Sequence, residues 1–224
     1  MAQTLNAVIF DMDGLLVDSE PIWQQARVGF AREHGQSWTH ADHLAVMGRN
    51  TEGWTTYMRA TLGLAMTLAE IEAEIVSRVA AIYRREIPFL PGAVELVEFC
   101  GRRWPLALAS GSPAPLIEAV TSHPSIAGRL RVVISADEVP RGKPAPDVYL
   151  EAAARLGYDP TTCLCFEDSA NGILSGHAAG LFVFAVPDPR FQPPPEVLAK
   201  AYRVLDRLDA FIPLVLRGEG LFAA

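Results

Sequence analysis

The sequence predicts an α/β protein, a parallel sheet with helices on both faces and one inserted helical module, and three observations carry that expectation. Five short apolar runs read as strands, helix-patterned stretches separate them, and one long interval near the N-terminus carries helix signals only. A chain of 224 residues is large for one compact unit and small for two complete domains, which suits one domain carrying an insertion.

The predicted strands are Ala7 to Phe10, Leu106 to Ala109, Arg131 to Ile134, Cys163 to Phe166 and Leu181 to Val186. Among the intervening helices, one places Val94, Val97 and Cys100 on a face, and another places Val148, Ala152 and Leu156 on a face after the turn former Pro146. Between the first two strands, strand signals vanish. Three apolar stripes at helical spacing replace them: Trp23, Ala26 and Phe30; Trp54, Tyr57, Met58 and Leu62; and Leu68, Ile71, Ile75, Val79 and Ile82. The reading divides the chain into a core of residues 1–17 and 88–224 and a helical module of residues 18–87. The stretches Asp18-Ser19-Glu20-Pro21 and Pro88-Phe89-Leu90-Pro91-Gly92 serve as a two-strand hinge. The proline-rich loop Pro187 to Pro195 reads as surface punctuation before a last helix whose face is Val197, Ala201, Val204 and Leu208.

Composition narrows the partners. Half of the residues are hydrophobic, enough for an extended core, and no low-complexity stretch suggests disorder. A net charge of -7 and a pI near 5.2 argue against nucleic acid or an anionic membrane surface, and an anionic substrate would need local positive charge or a metal. No segment approaches the roughly 18 uninterrupted apolar residues of a membrane span. The short N-terminal apolar run lacks a basic flank, so a secretory signal is not expected and a cytoplasmic monomer is. Cys100, Cys163 and Cys165 have no metal-ligand spacing and read as reduced core residues.

Chemistry gathers at strand ends. Asp11 and Asp13 follow the first strand, one residue apart, with no basic residue in the surrounding turn; ionising both needs a cation, a shared proton or open solvent. Gly14 permits a sharp turn beside them. Ser110-Gly111-Ser112 follows the second strand ahead of Pro113, a suitable first-turn residue, so Ser110 and backbone N–H groups can hold an anion there. Lys143 lies beyond the third strand and Glu167-Asp168-Ser169 closes the fourth. Taken singly, these are ordinary features: an acidic turn, a loop, a surface lysine, a helix cap. Ligands of open α/β sheets bind at the carboxyl ends of the strands, where all four clusters would meet. A Walker A loop is excluded because Asp137 occupies its earlier glycine position and Pro144 lacks the hydroxyl; an EF-hand is excluded because Leu15-Leu16-Val17 follows Gly14.

The stretches FDMDGLLVDSE (Phe10 to Glu20), LALASGS (Leu106 to Ser112), GKPAPDVY (Gly142 to Tyr149) and FEDSANG (Phe166 to Gly172) together resemble the haloacid dehalogenase superfamily. Within it, the chain is similar to the subfamily of β-phosphoglucomutase-like and sugar-phosphate phosphatases. The resemblance covers nearly the whole chain and implies a Rossmann-like core with a small helical cap in place of residues 18–87. It implies Asp11 as nucleophile and Asp13 as acid and base, with Ser110 and Gly111 on the phosphoryl oxygens and Lys143 neutralising their charge. It further implies Mg2+ held by Asp11, the Asp13 backbone carbonyl and Asp168, with Glu167 a direct or water-mediated contributor.

The implied activity is hydrolysis of a small phosphorylated metabolite, a sugar or polyol monophosphate, through an aspartyl-phosphate; the alternative is a hexose-phosphate mutase. Mutases of the family carry a histidine in the first cap helix and an arginine that grips a second phosphate. Here Trp23 and about Thr51, in Met47-Gly48-Arg49-Asn50-Thr51, stand in those places, which weakens the mutase reading. Tryptophan at position 23 is similar to the hexitol-phosphate and 2-deoxyglucose-6-phosphate phosphatases, although a place in the cap core is the reading preferred for its ring. His40 and His43, three apart without a partner cluster, read as a solvated turn.

Overall fold

The computed structural model describes residues 4–47 and 49–218. Six parallel strands form one sheet in the order β3-β2-β1-β4-β5-β6. They are β1 (Ala7–Phe10), β2 (Leu106–Ser110), β3 (Val132–Ser135), β4 (Cys163–Glu167), β5 (Phe182–Ala185) and β6 (Arg203–Val204). This is the doubly wound, Rossmann-like order, and its direction reverses between β1 and β4, which opens a crevice at their carboxyl ends.

Both sheet faces are covered, so the strands read as unbroken apolar runs rather than alternating ones. In register, Phe10 lies beside Leu108 and Phe166, and with Val8 and Leu164 this face packs on one core. Ile9, Ala107 and Cys165 belong to the opposite core. Helices α7 (Asp147–Leu156) and α8 (Ala170–Ala178) cover the second face, and α5 (Ala93–Gly101) and α6 (Ala114–Thr121) the first. The three cysteines are free thiols, fully buried.

Between β1 and α5 run four helices: α1 (Glu20–Glu33), α2 (His40–Val46), α3 (Thr51–Leu62) and α4 (Leu68–Tyr83). Their starts are set by local chemistry. Thr39, Asn50 and Thr67 each cap a helix by accepting a backbone N–H, and Thr39 and Thr67 do so in reciprocal boxes with Asp42 and Glu70. The expected stripes pack inward: Ile71, Ile75 and Val79 of α4 are wholly buried, as are Phe30 and Met58. The chain leaves and re-enters the sheet side by side, for Val17 bridges Phe89 antiparallel, Asp18 N donates to Pro88 O at 2.8 Å and Leu90 N to Leu16 O at 2.9 Å.

One expectation fails near the C-terminus. The single helix carrying Val197, Ala201, Val204 and Leu208 is instead α9 (Pro195–Leu198), strand β6, a 3-10 turn (Leu208–Ala210) and α10 (Phe211–Leu216). The open edge of β5 captures the segment, with Tyr202 N donating to Val183 O and Leu205 N to Ala185 O, both at 2.8 Å, and pairing of an edge outweighs a weak helical stripe. The loop from Pro187 is also more than punctuation. Arg190 pairs with Asp18 at 2.5 Å, and Phe191 packs on the rings of His40 and His43.

Candidate active site

Asp11 sits one residue past β1, in a turn closed by Gly14 N donating to Val17 O and Leu16 N to Met12 O. Gly14 has φ +75, and a Cβ there would overlap the carboxylate of Asp168, so this position needs glycine both for conformation and for space. Asp11, Glu167 and Asp168 thereby offer carboxylate oxygens within 4.8 Å of one another, all buried.

Lys143 reaches into this group with its side chain 1 % exposed. Its ammonium donates to Asp11 Oδ1 at 2.5 Å, Glu167 Oε1 at 2.6 Å and Ala109 O at 3.1 Å. Burial disfavours its charge, but Asp11 and Glu167 outweigh that cost and hold its pKa above the ordinary lysine value. Glu167 spends Oε1 on Lys143 and on the Tyr149 hydroxyl at 2.6 Å, and Oε2 on the backbone N–H groups of Asp168 and Ser169 and on Ser169 Oγ. The carboxylate lies against Gly172 so closely that any Cβ there would overlap it.

Asp11 and Asp168 are pushed well above the usual carboxylate range, in both cases chiefly by burial. Lys143 opposes the shift in both and Glu167 adds to it in both; Asp13 further raises Asp11, and Asp11 further raises Asp168. Asp168 Oδ1 is buried without a partner among the described residues. An all-carboxylate donor set with one orphaned oxygen and excess negative charge fits a hard divalent cation such as Mg2+.

Asp13 is held by three donors. Trp23 Nε1 donates to Oδ1 at 3.0 Å; Ser110 Oγ and Ser112 Oγ donate to Oδ2 at 3.1 and 2.7 Å. Ser110 also accepts from Ser112 N, and Gly111 and Ser112 line the cavity above Asp11. The core position expected for Trp23 is half the finding: the ring is buried against Trp54, but its N–H reaches across to the second aspartate.

Helices α1 to α3 close the other side of the cavity. Arg27 lies over the Trp23 ring at 4.8 Å and donates to His43 Nδ1 at 3.3 Å. His43 Nε2 is 2.9 Å from Glu20 Oε2, an ion-pair distance not aligned as a hydrogen bond. His43 is therefore fully buried, not the solvated turn residue expected, because Arg27, Glu20 and Phe191 enclose it. His40 stays exposed. Burial lowers the Arg27 pKa to about 10, against the pull of Glu20 and Asp13, so the guanidinium stays charged at neutral pH. Arg49 is exposed and lies over Tyr57 at 5.8 Å; Gly48 is outside the described residues. Glu20, Trp23 and Arg27 share a face of α1 at spacings three and four, a pattern present in the sequence but submerged in the apolar stripe of Ala26 and Phe30.

The cavity bounded by these groups is about 40 Å3, space for a few waters. Three contacts hold the helices over it. Thr51 donates its N–H and hydroxyl to Asp137 at 3.0 and 2.6 Å, Asn171 donates to Met47 O at 2.8 Å, and Asn50 packs against Gly142.

Residues 5–180 match the family model of the haloacid dehalogenase-like hydrolases. The chain is 35% identical over 196 residues to hexitol phosphatase B of Escherichia coli K12, covering 84% of this chain and 86% of that protein. It is 35% identical over 212 residues to a probable pseudouridine-5'-phosphatase of Drosophila melanogaster, covering 92% and 90%. Among solved structures, CbbY of Rhodobacter sphaeroides in complex with phosphate superposes with a TM-score of 0.79 at 26% identity, covering 92% of this chain and 95% of that one. The chain belongs to the haloacid dehalogenase-like hydrolase family, and within it to the phosphoric monoester hydrolases. No helix among the described residues is long and apolar enough to cross a membrane.

Proposed function

We propose that this protein is a Mg2+-dependent phosphatase of a small phosphorylated metabolite, a sugar or polyol monophosphate, working through an aspartyl-phosphate at Asp11. The observation that carries the proposal is the meeting of Asp11, Asp13, Lys143 and Asp168 at the crevice where the strand order reverses. Hexitol phosphatase B, at 35% identity, supports the substrate class.

In this reading Asp11 attacks phosphorus with the carboxylate oxygen that Lys143 does not hold, and the bond from phosphorus to the leaving oxygen breaks. Asp13 gives its proton to that oxygen. Water then attacks the aspartyl-phosphate while Asp13 takes the water's proton, which releases inorganic phosphate and restores Asp11. Trp23, Ser110 and Ser112 fix the direction of Asp13 through both steps. Gly111 lines the cavity, with Ser110 beside it at the end of β2, and in this reading the two would bind phosphoryl oxygens while Lys143 neutralises their charge and restrains Asp11.

Mg2+ would be held by Asp11, Asp168 and the backbone carbonyl of Asp13, and when bound it offsets negative charge on the carboxylates and phosphoryl oxygens. Glu167, with both oxygens engaged by protein donors, would act by orienting Lys143 and the Asp168 backbone rather than as a direct ligand. The crevice over Asp11 is narrow, and α1 to α3 would move outward on the paired connection at Val17 and Phe89 to admit a sugar phosphate, then return to exclude water.

The test is a screen of phosphorylated metabolites for phosphate release, with Mg2+ and with chelator. Release should require the metal, and Asp11→Asn should lower turnover by at least about 10³-fold with an unchanged circular dichroism spectrum. Isomer formation from a sugar 1-phosphate without phosphate release would instead identify a mutase.

A further inference from the structure

Tyr149 takes no part in the phosphatase reading and does not line the cavity over Asp11, yet two of its contacts converge on Lys143. It is the third residue of α7 and is wholly buried. Its hydroxyl donates to Glu167 Oε1 at 2.6 Å, the oxygen that Lys143 also meets at 2.6 Å, and its ring centroid lies 4.9 Å from the ammonium. Oε2 of Glu167, by contrast, takes longer contacts of 3.2 to 3.4 Å from Asp168 and Ser169. Burial, with Glu167 adding to it, holds the phenol proton well above the ordinary tyrosine range, so the hydroxyl is a permanent donor.

The donor count on Lys143 gives this contact its weight. An ammonium has three N–H groups and no acceptor, and here Asp11 Oδ1, Glu167 Oε1 and Ala109 O engage all three. Two carboxylates thus divide one cation. Each donor that an oxygen accepts offsets part of its charge, so the hydroxyl on Glu167 Oε1 weakens the pull of that oxygen on the ammonium and leaves more of it for Asp11. The backbone keeps the hydroxyl in place. Ser175 Oγ donates to Ala145 O at 2.6 Å, midway between Lys143 and Tyr149, and Gly176 brings α8 so near that a Cβ there would overlap Cys165 Sγ and touch the Tyr149 ring.

Resting on the phosphatase reading, we infer that Tyr149 is a positioning residue for the reaction: its hydroxyl sets how the Lys143 ammonium is divided between Glu167 and Asp11, and so holds the cation on the carboxylate that attacks phosphorus. Among the described residues no other group besides Lys143 donates to Glu167 Oε1. Without the hydroxyl, that oxygen draws the ammonium off Asp11, and charge on the phosphoryl group in flight is less well offset. The loss falls on the chemical step and not on binding of the ester.

The chain has two lysines, Lys143 and the exposed Lys200, so the full-length protein grown on 15N-labelled lysine gives two ammonium signals, which Lys200→Arg assigns. Tyr149→Phe removes the hydroxyl and keeps the ring beside the ammonium. It should shift the Lys143 signal, lower kcat for an aryl phosphate about 10-fold and change KM less than about 2-fold. Replacing Tyr149 with 3-fluorotyrosine keeps the shape and makes the hydroxyl a stronger donor. That change should move the Lys143 signal in the opposite direction and leave kcat no lower.

A Lys143 signal that stays in place, or moves the same way in both proteins, overturns the inference. So does a Tyr149→Phe protein with reduced Tm but unchanged kcat, in which the hydroxyl is a structural bond only, or one in which KM alone rises. Where Tyr149→Phe fails to fold, the fluorotyrosine signal decides alone. Failure of the phosphatase reading is seen separately, as no Mg2+-dependent phosphate release from the aryl phosphate by the unsubstituted protein.

Discussion

Lys143 is the side chain on which the buried charges balance. Three acids, Asp11, Glu167 and Asp168, surround one ammonium that touches two of them. Removing a partner from a buried pair costs about 3–5 kcal/mol because the remaining charge stays desolvated. Lys143→Met should therefore lower unfolding free energy by about that amount, measured by urea titration, and Lys143→Met with Glu167→Gln should recover part of it. Trp23 makes a different kind of claim on the site, through one N–H. A hydrogen bond contributes about 0.5–1.5 kcal/mol, so Trp23→Phe should lower kcat about 2- to 10-fold while the apolar packing against Trp54 is kept. Rapid-quench measurement of the chemical step checks it. At this scale the sequence was legible where spacing and residue type coincide: Asp11, Asp13, Ser110, Lys143, Glu167 and Asp168 all come together. Glu20, Arg27, His43 and Tyr149 were not legible, because each owes its place to packing between elements that no local pattern specifies.

Among the elements, the contact of α3 with the loop after β3 ties the inserted helices to the sheet. Asp137 accepts two hydrogen bonds from Thr51 at the start of α3, where a negative side chain also suits the helix dipole. Asp137→Ala should raise KM for the physiological substrate about 3- to 10-fold in steady-state assays, with thermal stability shifted by less than about 2 °C, since the contact is exposed. Element types and order were readable wherever an apolar run was bounded by turn residues, as at Ala7 to Phe10 and Cys163 to Phe166. The segment after Pro195 was misread because its fate depends on β5 presenting an open edge, a property of the sheet and not of residues 197–208.

For the molecule as a whole, the buried carboxylates couple stability to pH and, on the function proposed above, to Mg2+. Asp11 and Asp168 hold protons to higher pH in the native state than in the unfolded chain. Between about pH 4 and those raised values the native state binds more protons, so stability falls as pH rises. Acids whose pKa is lowered, such as Glu70 and Asp159, act with the opposite sign, but their contribution levels off once pH passes their ordinary values of 4.5 and 3.8. In chelating buffer, calorimetric Tm should thus fall from about pH 5 to 8, and millimolar Mg2+ should restore it by an increment that grows with pH. A pH-independent increment would argue that the acids are already ionised without the ion.

The antiparallel bridge of Val17 with Phe89 gives the architecture a modular character. Since the polypeptide departs and comes back through adjacent strands, the span between them resembles a cassette in a fixed socket. On the function proposed above, exchanging the span between those two points for that of a related protein would be expected to change which phosphate ester is taken and to leave the cleaved bond the same.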